Sequence, residues 1–440
     1  MSTNINKQTS GSRVEVKPMI RVHELPNGLR IVMESIPFVR SVSFGIWVQN
    51  GSRNECERLN GISHFIEHLL FKGTEKRTAK DIADTMDAVG GQLNAFTSKE
   101  YTCYMARTLD THFDVALDVL SDMFFNSRFE ESGIERERNV ILEEINMYED
   151  TPENVAMSML ELNSFKNHPL GQTILGTPET IGSFTRKDFL DFMDNRYRPK
   201  NTVIAIAGNI NEEEIISKIT AVFDKYKDSG ADEQKPPALY RPSFSVRDKD
   251  IEQVHLCMGF PGLASGMGSD AYALACVNTV FGGGMSSRLF QKIREEHGLV
   301  YSVYSYNASY RDTGMYVIYA GLGPAHVYEV LSLITGEIKR MFTDRITADQ
   351  LAKTREQLKS SFLLGLESAY NRMNSIGHTL LMLNKTITPD EIISNIDAVD
   401  LDAFYAMCER IFKLDEMSLS LVGKQVEGLE SDALLGKTQG

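Results

Sequence analysis

The chain repeats itself at long range, and this constrains its fold more than any local pattern. Residues 181–208 align without a gap with residues 396–423, an offset of 215, pairing Ile181 with Ile396, Phe189 with Phe404, Ile204 with Leu419, Ile206 with Leu421 and Gly208 with Gly423. Upstream, Phe71-Lys72-Gly73 resembles Phe281-Gly282-Gly283 at an offset of 210. Identities are few, but apolar positions and segment order agree, as expected when one structural unit is used twice. A chain of 440 residues also exceeds what one core usually supports, so two domains of roughly 200 residues each are expected. The expected division is a polar tail over residues 1–18, a first domain over 19–227, a linker over 228–246 and a second domain over 247–440. The linker lacks periodicity and carries the pair Pro236-Pro237.

Within the first copy, strand and helix patterns mix, which gives an α+β class with a mixed or antiparallel sheet and helices packed on it. Residues 23–32 read as strand, Pro-Asn-Gly turn and strand, and residues 41–49 alternate as a third strand. Helices are expected over 79–89, 111–125, 130–149, 156–165, 180–195 and 212–226, and a buried strand over 202–208. Residues 92–97 and 101–106 are strand-like. One of these can be a sheet edge, where an extended peptide adds as a further strand; an ordinary paired hairpin fits the pattern as well.

Between these elements lies Gly61-Ile62-Ser63-His64-Phe65-Ile66-Glu67-His68-Leu69-Leu70-Phe71. As a helix it sets His64, Glu67 and His68 on one face, roughly 5–6 Å apart at Cβ. Two imidazoles so spaced can each bring a ring nitrogen about 2 Å from a single Zn²⁺, leaving the intervening carboxylate to hold a water. The order His-x-x-Glu-His is a metallopeptidase signature. The apolar filling makes this helix largely buried, and a buried carboxylate beside two histidines needs a compensating partner. Two satisfied core histidines beside a salt-bridged Glu67 answer the same pattern, so a third ligand is needed to decide.

Glu137 and Glu144 stand seven residues apart on the helix expected over 130–149 and share a face, whereas Glu143 points about 100° away. Glu144 fits the third ligand, with Glu137 behind it as a carboxylate that orients a ligating histidine. A solvated acidic helix face is the plain alternative. At the 210 offset His64, Glu67 and His68 fall opposite Leu274, Val277 and Asn278, a set that cannot hold zinc. One Zn²⁺ per chain, in the first copy, is therefore expected.

The bulk numbers remove other classes. Lys+Arg 46 against Asp+Glu 60 leaves a net charge of −14, which argues against a nucleic-acid binder. Five scattered cysteines without a Cys-x-x-Cys pair read as reduced thiols. No run of about 18 apolar residues is present, so no membrane span is expected. The polar start has neither the apolar core of a signal peptide nor an Arg-rich transit pattern, which sets the expectation of a bacterial cytoplasmic protein.

Taken together, residues 64–74, the strand bearing Asn94 and Ala95, and residues 137–144 resemble the pitrilysin/insulinase family of zinc peptidases. The resemblance is to its half-length branch, which includes the mitochondrial processing peptidase β subunit and bacterial relatives, and it runs from about Arg21 to Gly423. It implies zinc on His64, His68 and Glu144, with Glu137 in support and Glu67 as general base. It further implies that a substrate peptide lies along the strand of Asn94, Ala95 and Phe96. Arg294 and Tyr301 resemble the family's C-terminal pair, seven residues apart, thought to bind substrate and stabilise the reaction centre; without the resemblance they read as structural. Both are hydrogen-bond donors suited to a carbonyl or oxyanion. Because family members enclose a chamber between two large halves, the resemblance implies a homodimer in which Arg294 and Tyr301 act on the partner's zinc. Peptides or unfolded polypeptide segments would be the substrates. A catalytically silent scaffold subunit and a peptide-binding chaperone are the rival readings. Gly282-Gly283-Gly284 lacks the Gly-Lys-Ser/Thr ending of a phosphate loop and is expected to be a turn between helices.

Overall fold

The computed structural model describes residues 20–228, 236–424 and 426; the tail expected over 1–18, part of the expected linker and the last residues of the second half lie outside these. The first half builds a sheet from β1 (Ile20–Glu24), β2 (Arg30–Ser35), β3 (Ser41–Val48), β4 (Gln92–Thr97), β5 (Thr102–Leu109) and β6 (Thr202–Gly208), in the order β1-β2-β6-β3-β5-β4. The second half repeats it with β7 (Phe244–Asp248), β8 (Val254–Pro261), β9 (Val300–Ser309), β10 (Gly314–Leu322) and β11 (Ser418–Gly423), in the order β7-β11-β8-β10-β9. Each sheet has one parallel pair, β2 with β6 and β7 with β11, and is otherwise antiparallel. β6 and β11, which the sequence repeat equates, are buried along their whole length because helices cover both faces.

One face of each sheet carries that half's own helices. In the first half these include Ile62–Leu70, Phe113–Asn126 and Glu131–Glu149, whose apolar sides join Phe44, Ile46, Ile204 and Ile206 in one core. The stretch expected as one helix over 180–195 is two, Pro178–Ser183 and Arg186–Arg196. Thr185 and Asp188 form a capping box, each side chain taking the other's backbone N–H, which starts a new helix and turns the chain.

The other face of each sheet is covered by a helix from the opposite half. Helix Pro152–Ser164 lays Val155, Ala156 and Leu160 on Cys257, Val317 and Val422 of the second sheet. Helix Ala369–Leu383 lays Met373, Ile376 and Leu380 on Val32, Trp47, Cys103, Val203 and Ala205 of the first. The second contact is close because Gly377 has no side chain: a Cβ there would lie 2.6 Å from Trp47 Nε1 and 2.8 Å from Ala205 Cβ. Arg372 of this helix pairs with Glu34, which is 2% exposed on β2. Each half thus completes the core of the other.

Candidate metal centre

The His-x-x-Glu-His stretch is helical over Ile62–Leu70. Its start has no side-chain cap of its own, and the buried carboxylate of Glu55 substitutes, accepting from the backbone N–H of Gly61 and Ser63, each at 2.8 Å. An anion there also suits the positive end of the helix dipole. Gly61 is at φ 97° with Gly176 Cα 2.8 Å from where a Cβ would stand, so this turn requires glycine. Phe65, Ile66 and Leu70 are fully buried, which fixes the helix's rotation and points His64, Glu67 and His68 away from the core.

Helix Glu131–Glu149 packs across this one and brings in Glu144. Its Oε2 stands 3.7 Å from Nε2 of His64 and 3.6 Å from Nε2 of His68. Neither separation is a hydrogen bond. They are close to the roughly 3.3–3.5 Å between neighbouring ligands of a tetrahedral Zn²⁺ at about 2.0–2.1 Å. Burial, with His68 beside it, lowers the His64 imidazole to about 3, so this ring is uncharged and forms no ion pair with Glu144. Two imidazole nitrogens and a carboxylate oxygen thus come together where a cation fits, and among the described residues this is the one cluster of three or more His, Cys, Asp or Glu side chains able to hold a metal. Glu143, about 100° round the helix from Glu144, is exposed.

Glu137 lies one layer back. Its Oε2 is 3.2 Å from Nδ1 of His68, and its Oε1 takes Lys72 Nζ at 2.8 Å. Glu67, between the two histidines in sequence, accepts a hydrogen bond from Thr97 Oγ1 at 2.6 Å. Burial raises the Glu67 carboxyl, while Thr97 and His68 pull it down.

Thr97 ends β4, which pairs with β5 alone and forms the edge of the first sheet. Ala95, Phe96 and Thr97 line a cavity of about 720 Å³ that also holds His64, Glu67 and Glu144. Asn94 is exposed beside it, its Oδ1 accepting the Ala95 N–H at 2.9 Å. The far wall comes from the exchanged helices, with Met157 and Glu161 of one and His378 and Met382 of the other, and from Tyr306 and Tyr310 of the second half.

The sequence profile described as Insulinase (Peptidase family M16) matches residues 30–178, and the one described as Peptidase M16 inactive domain matches residues 183–358. A protein of Bacillus subtilis named as the uncharacterized zinc protease YmxG is 44% identical over 408 residues, spanning 92% of this chain and 98% of its own. The chain belongs to peptidase family M16. An uncharacterized zinc protease of Streptomyces coelicolor is 40% identical over 412 residues, covering 92% of this chain and 89% of its own. The fold agrees with a solved protease from Helicobacter pylori (TM-score 0.84, 22% identity, 92% and 99% of the two chains). It agrees as well with a Pseudomonas fluorescens structure described as peptidase M16 inactive domain (TM-score 0.87, 17% identity, 92% and 98%).

In this M16 chain the second half keeps the helix but not the ligands. Asn278, opposite His68 in the repeat, lies in helix Ser269–Phe281 and accepts from Ser305 Oγ and Tyr316 Oη. Gly282-Gly283-Gly284 follows that helix and leads to a π-helical turn, Phe290–Glu296. Arg294 and Tyr301 stand together, the guanidinium 5.6 Å from the Tyr301 ring centre, and Tyr301 is 77% exposed. Neither lines the cavity of their own chain. Lys72, Thr97, Glu55 and His378 were not singled out by residue pattern. A Lys four positions after His68 and a Thr closing the Asn-Ala strand are signals only once the two elements are known to touch.

Proposed function

We propose that this protein is a zinc endopeptidase acting on peptides or unfolded polypeptide segments. The observation that carries the reading is the convergence of His64, His68 and Glu144, with His64, Glu67 and Glu144 lining a cavity along a sheet edge. Zinc held by those three side chains supplies a Lewis acid for a carbonyl and lowers the pKa of a water towards about 7. The substrate backbone adds to β4 along Asn94, Ala95 and Phe96, which sets a peptide bond before Glu67. Glu67 takes a proton from the attacking water and passes it to the leaving amine. Glu137 holds the ring of His68, and Lys72 holds Glu137.

The working unit is a homodimer in which Arg294 and Tyr301 of one chain reach the partner's cavity and hold the substrate carbonyl or its oxyanion. Their pairing at an exposed site outside their own cavity supports this arrangement. The two relatives named above are bacterial, and no described helix is long and apolar enough to cross a membrane, which suits turnover of peptides in the cytoplasm.

Metal analysis with cleavage of a quenched, unstructured basic peptide tests the reading. One zinc per chain, cleavage abolished by chelator and restored by zinc, and a Glu67→Gln variant that keeps zinc but loses cleavage are expected. Glu67→Gln cleaving near the wild-type rate overturns it.

A further inference from the structure

We propose that Thr97 is a positioning residue for Glu67, and that Glu100 holds Thr97 in place by tying the β4–β5 turn to the second half of the chain. This rests on Glu67 being the proton-transferring group.

A carboxylate acting as a base must present one oxygen to the proton and keep it there. Glu67 projects from the motif helix with two free torsions beyond its Cβ, and the helix alone does not fix the carboxylate plane. Thr97 Oγ1 does so by donating to Oε2 at 2.6 Å, in the range of a strong hydroxyl-to-carboxylate bond. Oε1 is then the oxygen left for proton transfer. Thr97 is the last residue of the edge strand, so one residue both ends the stretch on which a peptide would lie and orients the base.

The position of Thr97 depends on the turn that follows it. Ser98 N–H donates to Tyr101 O at 2.8 Å, closing the hairpin, and the backbone of Ser98 and Lys99 accepts from Ser52 and Arg53 at 3.3 and 2.8 Å. Glu100, 7% exposed, reaches away from its own sheet. Its two carboxylate oxygens accept the backbone N–H of Arg311 at 3.1 and 3.0 Å, 211 residues away in the second half. Arg53 bridges Glu100 at 2.7 Å to Asp312 at 2.6 Å, and the Ala238 N–H donates to Asp312 as well, at 3.3 Å. The β9–β10 hairpin therefore grips the turn through an ion triad in which Arg53 and Glu100 are buried and Asp312 is exposed. A carboxylate so deep is retained only where its hydrogen bonds are met, and here a backbone amide from the other half meets them. Displacement of that hairpin relative to the first sheet drags Glu100, then Thr97, then the Glu67 carboxylate.

The test uses the zinc-loaded full chain, the variants Thr97→Val, Thr97→Ser, Glu100→Gln and Thr97→Val/Glu100→Gln, and Glu67→Gln in parallel. Zinc content, thermal midpoint, kcat and KM for the quenched peptide are measured for each. Thr97→Val is isosteric and is expected to lower kcat about tenfold to hundredfold, the range of one hydrogen bond to a charged group. KM and zinc content should hardly move. Thr97→Ser, which restores the hydroxyl, should recover most of kcat, a rescue that a purely structural threonine would not require. Glu100→Gln is expected to lower kcat about tenfold alone, as small misplacements near reacting groups do, and to add little on top of Thr97→Val. Asp312→Asn loosens Arg53 from the far side and is run beside Glu100→Gln, so that poor folding of either leaves the link measurable. A Thr97→Val enzyme with kcat within about twofold of wild type overturns the role of Thr97. Full additivity of the two substitutions overturns the link to Glu100. An active Glu67→Gln variant would instead strike the function itself, so the two failures are distinguishable.

Discussion

Glu137 Oε2 stands 3.2 Å from Nδ1 of His68, and this contact turns Nε2 of the same ring towards Glu144. Outer carboxylates of this kind fix the tautomer of a ligating histidine and raise its basicity. Glu137→Gln is expected to weaken zinc binding about tenfold to hundredfold, with most activity regained in excess zinc. Competition with a chromogenic chelator reads the affinity directly. An unchanged affinity would separate Glu137 from the metal centre.

If Arg294 and Tyr301 serve the partner's site, two dead variants should complement each other. Glu67→Gln and Tyr301→Phe, each inactive alone, would form heterodimers with one intact site after mixed refolding or co-expression. Random pairing of a symmetric dimer gives about a quarter of wild-type activity. No regain, with heterodimers shown to form, would place both residues' action elsewhere.

Gly377 lets the exchanged helix Ala369–Leu383 lie against Trp47. Gly377→Val puts side-chain atoms where Trp47 Nε1 and Ala205 Cβ already stand, and overpacking of this type costs about 1–3 kcal/mol. A lower denaturant midpoint is the expected result. Equal stability would mean that the helix sits further from the sheet than described.

Arg372 and Glu34 join the same helix to β2 across the two halves. Arg372→Met alone strands a buried carboxylate and should cost about 3–5 kcal/mol, whereas adding Glu34→Leu should recover much of the loss. A double-mutant cycle by chemical denaturation measures the coupling.

The repeat, the α+β class and the metal-motif helix were legible because each leaves a local mark: aligned apolar positions, alternation of strand and helix periods, two histidines around a glutamate. That Glu144 shares a helix face with Glu137 was legible because seven residues make two helical turns. The break at Phe184 was missed since apolar spacing ran through it while the Thr185/Asp188 capping box overrode it. The helix exchange leaves no mark at all. An amphipathic helix such as Pro152–Ser164 shows which side is apolar but not which sheet it will cover. Glu100 is an ordinary turn acid in the sequence, and becomes a buried anchor only when Arg311 arrives from the other half.

The reciprocal crossing of the two helices has a consequence for any attempt to take the molecule apart. A severed half would leave bare the sheet face its lost neighbour had covered, while its own crossing helix would have nothing to lie on. Two copies of one half could relieve both defects at once by trading helices. The repeat is thus written so that a pair of units, whether tethered or separate, is the smallest object that closes.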